Sequence, residues 1–273
     1  MRILVTNDDG IFSEGIKLLA QALAPLGEVV VVAPDREQSA SGHSLTLNRP
    51  LRLRKIEERW YAVDGTPTDC VSLAIQWLMK DDPPALIVSG INFGLNLGND
   101  VTYSGTVSAT FEGSLLGIPS VAFSQEVSEK FSFARAARFA GELVRELLAH
   151  AAKEPLPAGL LLNVNLPAGD VRGVRWTRLG YRRYHQVVVE KVDPRGRKYY
   201  WIAGTPEWRE EEGTDYVAMA SGYASVTPLH LDLTDYRVLD GAAALRDHLV
   251  HTLGDEAKLG GEASEVESSE PRS

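Results

Sequence analysis

Cysteine occurs once in the 273 residues, at Cys70. One thiol excludes an intrachain disulfide framework and any Cys-rich metal site, and is what a reducing compartment leads one to expect. Positive charge is also scarce: 28 Lys and Arg stand against 37 Asp and Glu, a formal net charge of -9. That balance argues against a broad electrostatic grip on duplex nucleic acid or on an anionic membrane. No apolar run approaches the roughly 20 residues of a membrane span. The opening Met1-Arg-Ile-Leu-Val-Thr-Asn-Asp-Asp9 has too short an apolar run for a secretory signal, so a cytoplasmic protein is expected. There is no Gly-Lys-Ser/Thr phosphate loop, no Gly-x-Gly-x-x-Gly after the first apolar run and no internal repeat, which disfavours a Walker nucleotide-binding protein and a dinucleotide oxidoreductase.

Short apolar runs, continuous rather than alternating, are what the chain does contain. They are Ile3–Val5, Val29–Ala33, Ala85–Val88, Ser120–Phe123 and Leu160–Val164. Strands apolar on both faces suit a parallel sheet covered by helices. Between them lie helical patterns. Ile16, Leu19, Ala20 and Leu23 share one face, as do Val71, Ala74, Ile75 and Leu78 behind an expected cap at Asp69. A longer helix is expected over roughly 131–149. The expected fold class is α/β and Rossmann-like, mostly parallel, with right-handed crossovers.

The pattern changes near residue 170. Val174–Arg178, Gln186–Val192 and Lys198–Ile202 read as strands with a turn at Asp193-Pro-Arg-Gly196, a hairpin projecting from the core. Tyr216–Val226 reads as a further strand and Ala242–Leu253 as a last helix. The expected organisation is a 1–170 core bearing the site, then hairpin arm, returning strand and helix over 171–253. An acidic, Gly/Ser-rich disordered tail over 254–273 would follow.

Chemistry is concentrated in loops that follow the parallel strands, where open α/β sheets bind ligands. Asp8 and Asp9 come directly after the first strand. Adjacent carboxylates repel unless a cation or a shared proton compensates, and a divalent metal is the simplest answer. After the second strand, Pro34–Ser44 is long and rich in small polar residues, with Ser39 or Ser41 able to offer a hydroxyl oxygen. The third run leads into Ser89–Asp100, with interleaved Gly and Asn, and Asn92 placed to offer an amide oxygen. Tyr103-Ser-Gly-Thr106 opens a helix, combining hydroxyls, free N–H groups and a positive dipole end, a phosphate cradle. Oxygen donors without thiolate favour Mg²⁺ or Mn²⁺. A hard cation beside an anion cradle equips a site for phosphoryl transfer to water.

Five ordered segments carry a family resemblance: ILVTNDDGIFSEG at 3–15, VAPDREQSASGHS at 32–44, GTPTDC at 65–70, VSGINFGLNLG at 88–98 and YSGT at 103–106. With the Thr-Pro-Leu-His block at 227–230, the chain resembles the SurE survival-protein nucleotidases from residue 1 to about 240. The resemblance implies one divalent cation per subunit, Mg or Mn, held by Asp8, Asp9, Ser39 and Asn92. It implies phosphate contacts from Asn96, Ser104, Gly105 and Thr106. It also implies a 5'-nucleotidase, a phosphoric monoester hydrolase acting on nucleoside 5'- and 3'-monophosphates and in some members on short polyphosphate. Homodimers or homotetramers formed through the C-terminal hairpin region are implied as well.

The residues themselves suggest the catalytic roles. Asp8 or Asp9 would orient or deprotonate the attacking water. His43 would protonate the leaving alkoxide or bind the ribose, or serve only as a loop histidine bonded to backbone. Arginines and aromatics between Arg172 and Trp201 suit a subunit interface, with some substrate contact. Two rivals are a Mg²⁺-binding phosphoacceptor signalling module, with Asp64 as acceptor, and a nucleotide-binding protein without turnover.

Overall fold

A computed structural model describes residues 1–129, 131–185, 188–202 and 204–253. The tail expected over 254–273 lies outside them. The core is a nine-stranded sheet of order β3-β4-β2-β1-β5-β6-β7-β13-β8. Its strands are β1 (Arg2–Thr6), β2 (Glu28–Pro34), β3 (Leu53–Glu57), β4 (Trp60–Val63), β5 (Leu86–Phe93), β6 (Ser120–Gln125), β7 (Leu161–Leu166), β8 (Val174–Trp176) and β13 (Ala224–Pro228). The six strands from β4 to β7 run parallel. β3 is antiparallel to β4, and β13 is antiparallel to β7.

Helices cover both faces, as buried parallel strands require. α1 (Glu14–Leu23) and α4 (Phe133–Ala151) lie on one face, where Ile16, Leu19, Ala140 and Val144 pack with Ile3, Val5 and Phe123. α2 (Pro67–Leu73) and α3 (Gly105–Leu115) lie on the other, where Cys70, Val71 and Ala109 meet Leu4, Val32 and Ile87. Successive residues of β1 thus point to opposite helical layers, so one residue of register slip would misplace the whole strand. After β1 the chain winds toward β2, and after β5 it winds the other way toward β6. The β1/β5 boundary is therefore the switch point at which a crevice opens.

Three local expectations need correction. Thr66, not Asp69, caps α2: its hydroxyl accepts from Asp69 N at 3.1 Å, and Asp69 Oδ2 accepts from Thr66 N at 2.8 Å. This reciprocal capping box lets Pro67 take the first helical position, where its missing N–H costs nothing. The helix then widens into a π turn over Ala74–Leu78. Residues 216–226 are not one strand. Thr214 caps a short helix, α5 (Asp215–Ala220), and Gly222 at φ +77° turns the chain into β13. The arm is also longer than expected. β9 (Tyr181–His185) pairs with β12 (Thr205–Arg209) at its base, and β10 (Val188–Val192) pairs with β11 (Lys198–Ile202) beyond it, closed by the expected turn.

Met1–His230 form one compact unit and the chain from Leu231 onward a second. The stretch after residue 170 is not separate from the core, because β8 and β13 complete the main sheet. The second unit, as far as it is described, holds α6 (Tyr236–Gly241) and α7 (Ala243–Leu253). Among the described residues no helix is long and apolar enough to cross a membrane.

Candidate active site

The turn after β1 is locked by Asn7. Its Nδ2 donates to Gly10 O at 3.1 Å and to Ser13 Oγ at 2.8 Å, while Gly10 N donates to Asn7 Oδ1 at 3.2 Å. Gly10 sits at φ +95°, and a Cβ there would lie 3.1 Å from the Arg36 backbone, so only glycine fits comfortably. This turn presents Asp8 and Asp9 at the switch point. The Asp8 carbonyl also accepts from Gln38 N at 2.8 Å, joining the loop after β2 to the acidic pair.

Asp8 is almost fully buried, and burial pushes its carboxyl above the usual range against the opposing hydrogen bonds from Thr106. The Thr106 hydroxyl donates to Asp8 Oδ1. Asp9 is raised from 3.8 to about 6, by burial first and then by the Asp8 charge, with Glu37 adding to it. Its Oδ2 is buried without a hydrogen-bond partner, as is Ser41 Oγ. Orphaned oxygens of this kind are rare in native structures unless something else satisfies them. A hard divalent cation fits this donor set: two carboxylates, a serine hydroxyl and an amide oxygen. Among the described residues no group of three or more His, Cys, Asp or Glu could hold a metal, so a cation here would draw on the neutral oxygens as well.

Asp8, Asp9, Ser39, Asn92, Asn96 and Ser104 line one cavity of about 1020 Å³. Asn92 follows a register shift in β5, and its Nδ2 donates to Gly94 O at 2.9 Å, leaving the amide oxygen for a ligand. Ser39 Oγ donates to Glu37 Oε1 at 2.7 Å. Ser104 caps α3, accepting from Val107 N at 3.1 Å. Gly105 and Thr106 are not among the lining residues; they lie directly behind Asp8. A Cβ on Gly105 would come within 2.7 Å of Asp8 Cβ and 2.8 Å of Ser41 Oγ, so glycine lets the helix end approach the acidic pair. His43 does not line the cavity either. Its Nε2 lies 3.2 Å from Glu112 Oε2 on α3, and its ring meets Phe111 edge-on. Its partner is thus a carboxylate, rather than the backbone.

Several supporting residues escaped the sequence reading. Asn96 is held from four sides: its N donates to Asn165 Oδ1 at 2.9 Å, its Nδ2 to Ser124 Oγ at 2.8 Å, and its carbonyl accepts from Asn163 and Asn165. The signal was present in Leu161-Leu-Asn-Val-Asn-Leu166, two asparagines on one face of an apolar strand. Buried Asp215 accepts from Gly98 N and Gly180 N, each at 2.8 Å, tying the loop after β5 to the base of the arm. Asp100, on the 3₁₀ turn Gly98–Thr102, pairs with Arg182 and accepts from Tyr184 Oη at 3.1 Å. Burial and the Asp100 charge push the Tyr184 phenol up, so it stays a donor.

A doubly wound sheet with an acidic pair beside a helix N-terminus at its switch point defines an α/β protein of the Rossmann-like class, with its candidate site at the carboxyl edge of the parallel strands. A family model described as "Survival protein SurE" matches residues 3–186, and the chain belongs to that family. The protein named 5'-nucleotidase SurE from Myxococcus xanthus is 55% identical over 238 residues, covering 86% of this chain and 89% of that one. The one named 5'-nucleotidase SurE 1 from Thermus thermophilus is 52% identical over 252 residues, covering 90% and 98%. The crystal structure of the SurE protein from Aquifex aeolicus superposes with a TM-score of 0.79 at 47% identity, covering 90% of this chain and all of that one.

Proposed function

We propose that this chain is a divalent-cation-dependent 5'-nucleotidase that cleaves nucleoside 5'- and 3'-monophosphates to nucleoside and phosphate, with short polyphosphate as a further substrate. The observation that carries the reading is the placement of Asp8 and Asp9 beside the N-terminus of α3 in one cavity. The relatives' names, 5'-nucleotidase SurE, specify the ester.

Asp8, Asp9, Ser39 and Asn92 would hold the cation. When bound, it supplies positive charge against the phosphate and acidifies water. Asp9, with one carboxylate oxygen unpartnered, orients the attacking water or takes its proton. Ser104 and the first N–H groups of α3 receive charge growing on the phosphate oxygens. Asn96, fixed by its amide network, positions the phosphate. Thr106 keeps Asp8 oriented through its hydroxyl. Asp64, the acceptor of the signalling alternative, is ion-paired with Arg49 and Arg52 and does not line the cavity. Nothing in its surroundings favours that alternative.

Phosphate release from a panel of 5'- and 3'-mononucleotides, with Mg²⁺, Mn²⁺ or EDTA, tests the reading. Release that needs the cation and stops with EDTA is expected. Silence on every substrate with either metal would sink it and leave a nucleotide-binding protein.

The arm is read as the self-association surface that makes a homodimer or homotetramer. Along β11 it exposes Tyr199, Tyr200, Trp201 and Ile202, the last two 62% and 84% exposed. Aromatics of this kind populate interface cores. Deleting residues 188–202 with a short turn replacement preserves β9 and β12. The deletion is expected to yield monomers by light scattering, and an unchanged oligomer would refute the assignment.

A further inference from the structure

The cavity lining is of two chemical kinds. Oxygen donors of Asp8, Asp9 and Ser104 line it together with the apolar and aromatic side chains of Leu95, Tyr103, Tyr184 and Ile202. At about 1020 Å³ it exceeds what orthophosphate needs and matches a site for a whole small molecule.

A ladder of flat groups runs to the cavity wall at Tyr184. Tyr216 and Trp208 stack with centroids 4.5 Å apart and planes 7° apart. The Arg182 guanidinium lies 5.0 Å from the Trp208 ring and 4.6 Å from the Tyr184 ring. Arg182 Nε is buried with no hydrogen-bond partner, so ring faces and the Asp100 pair are what hold this group. Tyr184 is the last rung. An aromatic ring has two faces, the guanidinium takes one, and Tyr184 lines the cavity.

The last rung is also fixed from its edge. Tyr184 Oη donates to Asp100, at 3.1 Å from each carboxylate oxygen, and Asp100 pairs with Arg182 as well. Asp100 stands four residues before Ser104, whose N–H closes the turn by donating to Asp100 O at 3.2 Å. Asp215 clamps Gly98 and Gly180 at the two ends of this arrangement. The Tyr184 ring and Ser104 thus belong to one braced assembly, and little ordering entropy remains to be lost when a ligand binds.

We propose that Tyr184 is the nucleobase shelf of this cavity, on which the base of a nucleoside monophosphate stacks as the next rung while its phosphate lies at Asp8 and Ser104. The inference rests on the phosphatase reading above and extends it to the part of the substrate that does not react. Stacking tolerates every base, since each has a π face. The shelf therefore selects nucleotides over small phosphate esters and discriminates weakly among bases.

The test compares kcat/KM for 5'-AMP with that for β-glycerophosphate, which has no ring, at saturating Mn²⁺. Wild type is expected to prefer AMP. Tyr184→Ala is expected to lower the AMP-to-glycerophosphate ratio about tenfold, at the lower part of the range for losing one base stack. Tyr184→Trp, which restores a flat face, is expected to keep the ratio within about threefold of wild type. A ratio unchanged in Tyr184→Ala overturns the shelf, and so does an equal loss on both substrates, which would mean a purely structural role. If wild type hydrolyses neither ester, the phosphatase reading fails and calorimetric titration with AMP decides the shelf separately. Binding that weakens about tenfold in Tyr184→Ala then supports it, and binding equal in the two proteins, or none in either, overturns it.

Discussion

Asp8→Asn is expected to lower cation-dependent phosphate release at least about a thousandfold, a loss of roughly 4 kcal/mol of transition-state stabilisation. The substitution keeps the shape of a side chain packed beneath the α3 terminus and keeps an oxygen for the Thr106 hydroxyl. What it removes is a full negative charge at a buried position, where the missing solvent cannot stand in for it. Cation affinity should fall with activity, so Mn²⁺ titration by calorimetry is the companion measurement. A variant keeping a tenth of wild-type kcat/KM would show that Asp8 is structural and would return the chemistry to Asp9 alone.

Asp9→Asn is expected to stabilise the cation-free protein at neutral pH while abolishing the gain that Mg²⁺ or Mn²⁺ confers. The raised Asp9 carboxyl, about 6 against 3.8, means that the folded state resists ionising it. Its favourable contribution is complete below 3.8 and is lost as pH rises through about 6. Above that, folding carries a charged carboxylate beside Asp8 with an unpartnered oxygen. Discounted for the partial exposure of Asp9, the cost is about 1 kcal/mol. Its removal should raise the cation-free melting temperature about 2–4 °C at pH 7.5, with the difference closing below pH 4. Cation at a hundred times its Kd should stabilise wild type by about 2.7 kcal/mol and the variant far less. A variant less stable than wild type in EDTA at pH 7.5 would contradict this account.

The two variants separate roles that adjacency in sequence cannot. Asp8 is oriented by Thr106 and Asp9 is not, and the orphaned oxygen belongs to Asp9. On the proposed mechanism Asp9, with the freer oxygen, would serve as the base, and Asp8, held by Thr106, as the more firmly oriented ligand.

Much of the core was legible because its period is simple. Ile3–Val5, Val29–Ala33 and Leu160–Val164 are short, apolar on both faces and bounded by polar loops, and each is a parallel strand. The antiparallel edge β3 was missed because it is exposed beyond Leu53 and carries no alternating burial pattern. Residues 215–220 were misassigned because a six-residue helix shows under two turns of periodicity, and its cap at Thr214 is its only local signature.

The loops of the site were legible for a related reason. Asp8 and Asp9 follow a strand, Ser104 opens a helix and Asn92 lies in the last residues of β5, and chain order places such segments at the carboxyl edge of a parallel sheet. His43 was harder, since its partner Glu112 lies 69 residues away. The same holds for Asp215 with Gly98 and for Arg182 with Asp100, pairs separated by 117 and 82 residues.

The sequence by itself determined the strand and helix alternation, the oxygen-bearing side chains of the site segments and the acidic pair, because periodicity and residue type act locally. Only the tertiary structure decided which carboxylate is anchored, that Thr106 serves Asp8, and that Tyr184 ends a stack at the cavity. Those facts depend on distances between segments far apart in the chain, and no local pattern encodes such distances.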